Sequence, residues 1–210
     1  MTRLFRWIEF IALFVMLPWL YVRDWLPVPM IPLLLCIAAV LFVALLRDKS
    51  FPRERLMNLA PLIAHGPGIV ALFLASSATI GALVWQYAPD TLFNFVRQRP
   101  GMWLFVMVFY PVFSVYPQEL IYRTWFFHRY RPILPRDQQL IWTSALAFGY
   151  MHIVFQNWIA VLLCVPGGYL FARTYARTHS TATVCFEHAL YGCFIFTIGL
   201  GMYFYGGAVR

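Results

Sequence analysis

The chain has 210 residues, of which 62% are hydrophobic and only 11% charged, with a mean hydropathy of +0.70. A soluble domain carries roughly 25% charged residues, so this composition excludes an ordinary water-soluble globule. It predicts an all-α, polytopic transmembrane helical bundle of about seven (six to eight) spans. The formal net charge of +8 does not indicate nucleic acid, because the basic residues punctuate the ends of apolar segments instead of clustering on one solvated face.

Seven apolar segments predict spans at about 7–22, 29–46, 67–88, 101–128, 138–156, 157–172 and 182–202. The first begins with arginines, as a signal peptide does. Bulky Trp19, Leu20 and Tyr21 stand where a cleavage site needs small residues, so it reads as an uncleaved span. Glu9 in its opening turn suits the helix dipole. LIAHGP, residues 62–67, reads as an interfacial piece ahead of the third span, with His65 in a loop. Pro111 and Pro117 predict a kinked or broken fourth span, and His128 falls at its interfacial end. The sixth span is short, and Pro166, Gly167 and Gly168 predict a close-packed or interrupted helix there. His179 falls in the loop that follows.

Cys36, Cys164, Cys185 and Cys193 lie in apolar segments without metal-site or disulfide spacing, so they read as small hydrophobes. No repeat or linker divides the chain, which reads as a single integral membrane domain, 1–210, with a motif-bearing core at about 101–202. With the N-terminus cytoplasmic, inner segments collect Arg3, Arg6, Arg47, Lys49, Arg53, Arg55, Arg129, Arg131, Arg136, Arg173 and Arg177. Outer segments collect only Arg23, Arg97, Arg99 and Arg210. That asymmetry predicts an N-terminus inside, and the short loops fit a bacterial inner membrane.

Ionisable side chains at membrane depth cost about 2.5–3.5 kcal/mol on insertion scales, so each one is a functional candidate. Glu119, Arg123, His152 and His188 stand out, with Glu187 beside the last. Glu119 and Arg123, in PQELIYR, are four apart and share a helix face. Phe148 and His152, in AFGYMH, are likewise four apart. His188 sits mid-segment in CFEHALYG, with Gly192 four residues on. Intramembrane polar groups face the bundle interior, so three spans would direct them to one cavity.

These segments resemble the motif set of the CPBP family, the intramembrane glutamic proteases that include CAAX prenyl endopeptidases and bacteriocin-processing relatives. The family pattern is EExxxR, then FxxxH, then HxxxN or a similar small polar ending. The counterparts here are Gln118 to Arg123, Phe148 to His152, and His188 to Gly192, in the same order across residues 118–192. Two positions depart from it. Gln118 stands where the family has the glutamate regarded as the water activator, and Gly192 stands where it has an asparagine.

The resemblance implies an endopeptidase acting on a membrane-associated protein or peptide without a cofactor, the catalytic residues being Glu119, His152 and His188. A carboxylate withdrawn from water is a stronger base near neutrality. Glu119 would take the water's proton, His152 would orient that water, and His188 would donate to the oxyanion. Arg123 would hold Glu119, while Gln118, Phe148 and Gly192 support the site. Two alternatives stay open. Two histidines and a carboxylate can bind zinc with a fourth position left for water. A non-catalytic or transport-type membrane protein could also carry Glu119 and Arg123 as a structural pair. Measured from the span ends, His152 lies deeper than His188 and Glu119, so convergence requires the fifth helix to start later or to tilt.

Overall fold

A computed structural model of the chain describes residues 2–204, and every regular element among them is helical. Six helical segments are long and apolar enough to cross a membrane: Arg3–Val22, Met30–Arg47, Arg53–Tyr87, Pro100–Tyr130, Trp158–Thr178 and Thr181–Ile198. The main helices, in chain order, are α1 (Arg3–Val22), α2 (Met30–Arg47), α3 (Ala60–Tyr87), α4 (Pro100–Tyr130), α5 (Asp137–Met151), α6 (Trp158–Thr178) and α7 (Thr181–Ile198). The expected span at 138–156 is α5 with its 3-10 extension His152–Phe155. It opens on Asp137, Gln138 and Gln139, which are exposed at its end, while Leu140, Ile141, Ser144, Ala145 and Phe148 beyond them are buried.

Contacts between helix ends define two faces of the bundle. On the first, Glu9 of α1 meets Arg129 of α4, Asp48 after α2 meets His128, and Ser180 Oγ before α7 donates to the Asn58 carbonyl before α3 at 2.6 Å. On the opposite face, Asn157 Nδ2 donates to the Tyr203 carbonyl at 2.7 Å. There Gly199, at φ +109°, lies so close to the Thr91 carbonyl that a Cβ would overlap it. These ends alternate in chain order over the seven helices. Arg210 and the notional outer end of the chain lie outside the described residues.

Several local expectations change. Residues 62–67 are no interfacial piece but early turns of α3, and His65 lies inside that helix. α4 is not broken at its prolines. It runs on through π-helical turns at Pro111–Val115 and Leu120–Trp125. Pro111 has no N–H for an i−4 carbonyl, and a wider turn takes up the lost register. α6 is neither short nor interrupted, and Pro166 lies within it. Gly168 lets it approach α5 closely: a Cβ there would stand 3.0 Å from Phe148 Cδ1 and 3.1 Å from the Ala145 carbonyl oxygen. Glu9 is held by Arg129 and Tyr130 instead of resting on the dipole of α1.

Candidate active site

Glu119 lies between the two π turns of α4 and is fully buried. Its Oε1 is 2.7 Å from His188 Nδ1 on α7. A carboxylate can only accept, so Nδ1 carries the hydrogen. The other ring nitrogen, Nε2, meets the Tyr110 hydroxyl at 3.0 Å. With Nδ1 protonated on a neutral ring, that hydroxyl donates to Nε2. The result is a chain Tyr110 to His188 to Glu119 that links α4 to α7. The imidazole lies flat against Phe171 of α6, with centroids 4.5 Å apart and 19° between planes.

Arg123 is as buried as Glu119. Its Nε stands 3.3 Å from Glu119 Oε2, yet both atoms are without a properly aligned hydrogen bond. The intervening π turn closes i to i+5, so the residue four on from Glu119 is offset from it. The expected grip by the guanidinium is therefore a one-point charge contact. The remainder of Arg123 is held elsewhere: NH1 donates to Ser144 Oγ at 2.9 Å and to the Tyr122 carbonyl at 3.3 Å. Its Cζ lies 4.8 Å over the Phe148 ring, a cation–π contact.

His152 occupies the first residue of the 3-10 turn after α5. Its Nδ1 donates to the Phe148 carbonyl at 2.7 Å, which leaves Nε2 as an acceptor. α5 begins at Asp137, so a late start does not bring His152 to its partners. Counted at 1.5 Å per residue, His152 lies ~22 Å along its helix, Glu119 ~16 Å and His188 ~10 Å from the first face. Phe148 bridges the difference, with its ring centroid 4.8 Å from His152 and 5.5 Å from His188. The structure thus bonds Glu119 to His188 and sets Arg123 against Glu119. It brings His152 near only across an aromatic ring.

A cavity of about 790 Å³, apolar over most of its wall, opens beside these groups. Tyr110, Gln118, His152, His188 and Gly192 line it, whereas Glu119 stands behind His188. Gln118 Nε2 donates to Ser114 Oγ at 2.8 Å, and its Oε1 has no partner among the described residues. Glu187, next to His188, is buried against Thr174 of α6 and faces away from the cavity. Phe204, in the closing 3-10 turn Leu200–Phe204, lies 6.0 Å from the His152 ring. Among the described residues, no three His, Cys, Asp or Glu side chains gather as a metal site.

Tyr110 and Ser144, which bond His188 and Arg123, are positions that the motif reading missed. Tyr110 ends an apolar run, where an aromatic reads as core, and Ser144 follows a threonine in a helix of mixed polarity. Nothing in their spacing marks either.

Residues 100–194 match the family model described as type II CAAX prenyl endopeptidase Rce1-like. That stretch runs from the start of α4 past Gly192, and so contains every motif residue. No curated protein and no solved structure matches the chain.

Proposed function

We propose, from the match of residues 100–194 to the Rce1-like model of type II CAAX prenyl endopeptidases, that the chain is an intramembrane endopeptidase. It cleaves a peptide bond of a membrane-associated protein or peptide. The observation that carries this reading is the 2.7 Å bond from His188 Nδ1 to the buried Glu119, made at the wall of a large apolar cavity. A carboxylate behind an imidazole fixes its tautomer and stabilises it when protonated, as in hydrolases that use a His–Asp pair.

The glutamate activates water through the imidazole. Glu119 does not line the cavity, so His188 Nε2 is the atom that takes the proton while Glu119 offsets the charge that forms. His152 Nε2 accepts the water's second hydrogen and orients it. The hydroxide oxygen bonds to the scissile carbonyl carbon, and the carbonyl pair moves onto oxygen. As the C–N bond breaks, His188 returns the proton to the amine nitrogen. Arg123 keeps the interior near neutrality, and Phe148 spaces the two imidazoles.

The face carrying Arg47, Lys49, Arg53, Arg55, Arg129 and Arg131 is the cytoplasmic one, in a bacterial inner membrane. The reaction needs no cofactor. Cleavage of a farnesylated CAAX peptide in proteoliposomes should persist in a chelator and vanish in His188→Ala. Loss of activity on removal of one tightly bound zinc would make these side chains metal ligands instead.

A further inference from the structure

Hydrolysis by this site requires a hydrogen-bond donor for the oxyanion within reach of the water that His188 activates. His188 cannot serve, because Nδ1 is committed to Glu119 and Nε2 must receive the water's proton. Gly192, one turn on, has no side chain. The volume beside it is nevertheless filled: a Cβ on Gly192 would overlap Tyr110 Cε1, Cζ and hydroxyl. A side chain at 192 and the phenol of Tyr110 in this position are mutually exclusive. The phenol is fixed edge-on against Phe196, with centroids 5.3 Å apart, and against His188 at 6.1 Å. Its hydroxyl reaches the cavity wall 3.0 Å from the basic nitrogen.

We infer that Tyr110 is the oxyanion donor of the hydrolysis proposed above, seated in the space that Gly192 leaves open. The inference rests on the protease reading. A phenol has one hydrogen to give, so the resting bond to His188 Nε2 and the bond to the oxyanion succeed one another. When a substrate carbonyl enters, the O–H turns about the Cζ–O bond towards the carbonyl oxygen. That motion frees the Nε2 lone pair for the water. As the water oxygen bonds to carbon, the carbonyl oxygen gains the electron pair and accepts from Tyr110 without taking its proton. Collapse breaks the C–N bond, the proton on Nε2 goes to the amine, and the hydroxyl returns to Nε2. One rotation therefore both supplies the donor and exposes the base.

The test compares full-length variants in proteoliposomes, using a farnesylated CAAX peptide carrying a fluorophore and quencher. Tyr110→Phe keeps the ring and removes the hydroxyl. It should lower kcat by about 10²–10³-fold, with KM within about threefold and the pH dependence of kcat, which reports the substrate complex after the hydroxyl has turned away, unchanged. Gly192→Ala should also lower kcat by displacing an intact hydroxyl. Tyr110→Ala combined with Gly192→Asn returns an amide donor to the same volume and should recover at least about tenfold over Tyr110→Ala alone. Tyr110→Phe within about twofold of wild type would overturn the inference while leaving the protease reading intact. A loss accompanied by a displaced pH profile would overturn it too, by making Tyr110 a positioning residue for His188. Wild-type chain that does not cleave the probe would overturn the protease reading and this inference with it.

Discussion

Two glutamate–arginine pairs sit in this molecule, and they are built in opposite ways. Glu9 and Arg129, 18% and 16% exposed, join α1 to the end of α4 through a two-point fork of 2.8 and 2.6 Å, with the Tyr130 hydroxyl adding a third bond at 3.1 Å. Glu119 and Arg123 are both fully buried on one helix, yet meet through single atoms at 3.3 Å without hydrogen-bond alignment. Burial should favour the better geometry in the interior, because removing two charges from water is costly. The interior pair is looser because the π turn between the two residues offsets Arg123 from Glu119. The oxygen it leaves, Oε1, bonds His188. The outer pair docks helices, whereas the inner one balances charge and leaves a carboxylate available for chemistry.

The comparison breaks most directly at Glu119. Glu119→Gln keeps the shape and removes the charge behind His188, so cleavage of the CAAX peptide should fall by about 10⁴-fold, while the buried Arg123 left without its counter-charge lowers the unfolding midpoint of a chain that still inserts. Near-wild-type cleavage would remove Glu119 from the mechanism. Arg123→Ala strands a carboxylate in the bundle, which typically costs ~3–5 kcal/mol, read as a large drop in unfolding midpoint and yield. Glu119→Gln with Arg123→Ala together should recover stability without activity. Arg123→Lys should rank between arginine and alanine, since an ammonium cannot reproduce both the Ser144 bond and the flat contact on Phe148. If the double variant is as unstable as the two singles combined, the inner pair is not coupled.

The same contrast explains what could be read from the chain beforehand. The helical class, the six most apolar spans and the ordered motifs follow from hydropathy and from charges stranded in apolar stretches, which are local signals. Helix continuity through Pro111, Pro117 and Pro166 does not, because π turns and neighbouring helices absorb missing hydrogen bonds in ways that propensity does not encode. Partner choice is equally hidden. Glu9 precedes Arg129 by well over half the chain, so its bond is set by how α1 folds against Phe126 and Tyr130 through Phe10. The overlap of Tyr110 with the space above Gly192 is likewise a three-dimensional fact between two unremarkable positions. The spacing of EExxxR-like residues does place Glu119 near Arg123, but only coordinates show that His188 holds the carboxylate more closely.

The outer pair should behave as a latch. Glu9→Gln removes the charge from a partly exposed fork and should lower stability by about 1 kcal/mol, with kcat unchanged. A cycle with Arg129→Ala measures the coupling by thermal unfolding in detergent. A fall in kcat comparable to that of Glu119→Gln would erase the distinction between docking pair and working pair.

The smallest effect belongs to Asp48, which ties the link after α2 to α4 on the same face as Glu9. His128 Nε2 donates to its Oδ2 at 2.8 Å, while Ser50 N and Oγ donate to Oδ1 at 2.8 and 2.7 Å. The His128 bond, followed by those from Ser50, holds the carboxyl down to about 2 from its ordinary 3.8. A carboxyl depressed in the folded chain stabilises it above the unfolded value and loses that contribution as pH falls through the folded one. The side chain is 45% exposed, so solvent screening reduces the gain to about 0.5 kcal/mol. Asp48→Asn retains an acceptor oxygen for Ser50 and removes the charge together with the acceptor that faces His128. Its unfolding midpoint should lie slightly below wild type at pH 5, and the gap should close between pH 4 and pH 2. A gap that persists unchanged to pH 2 would mean that His128 recognises the oxygen and not its charge.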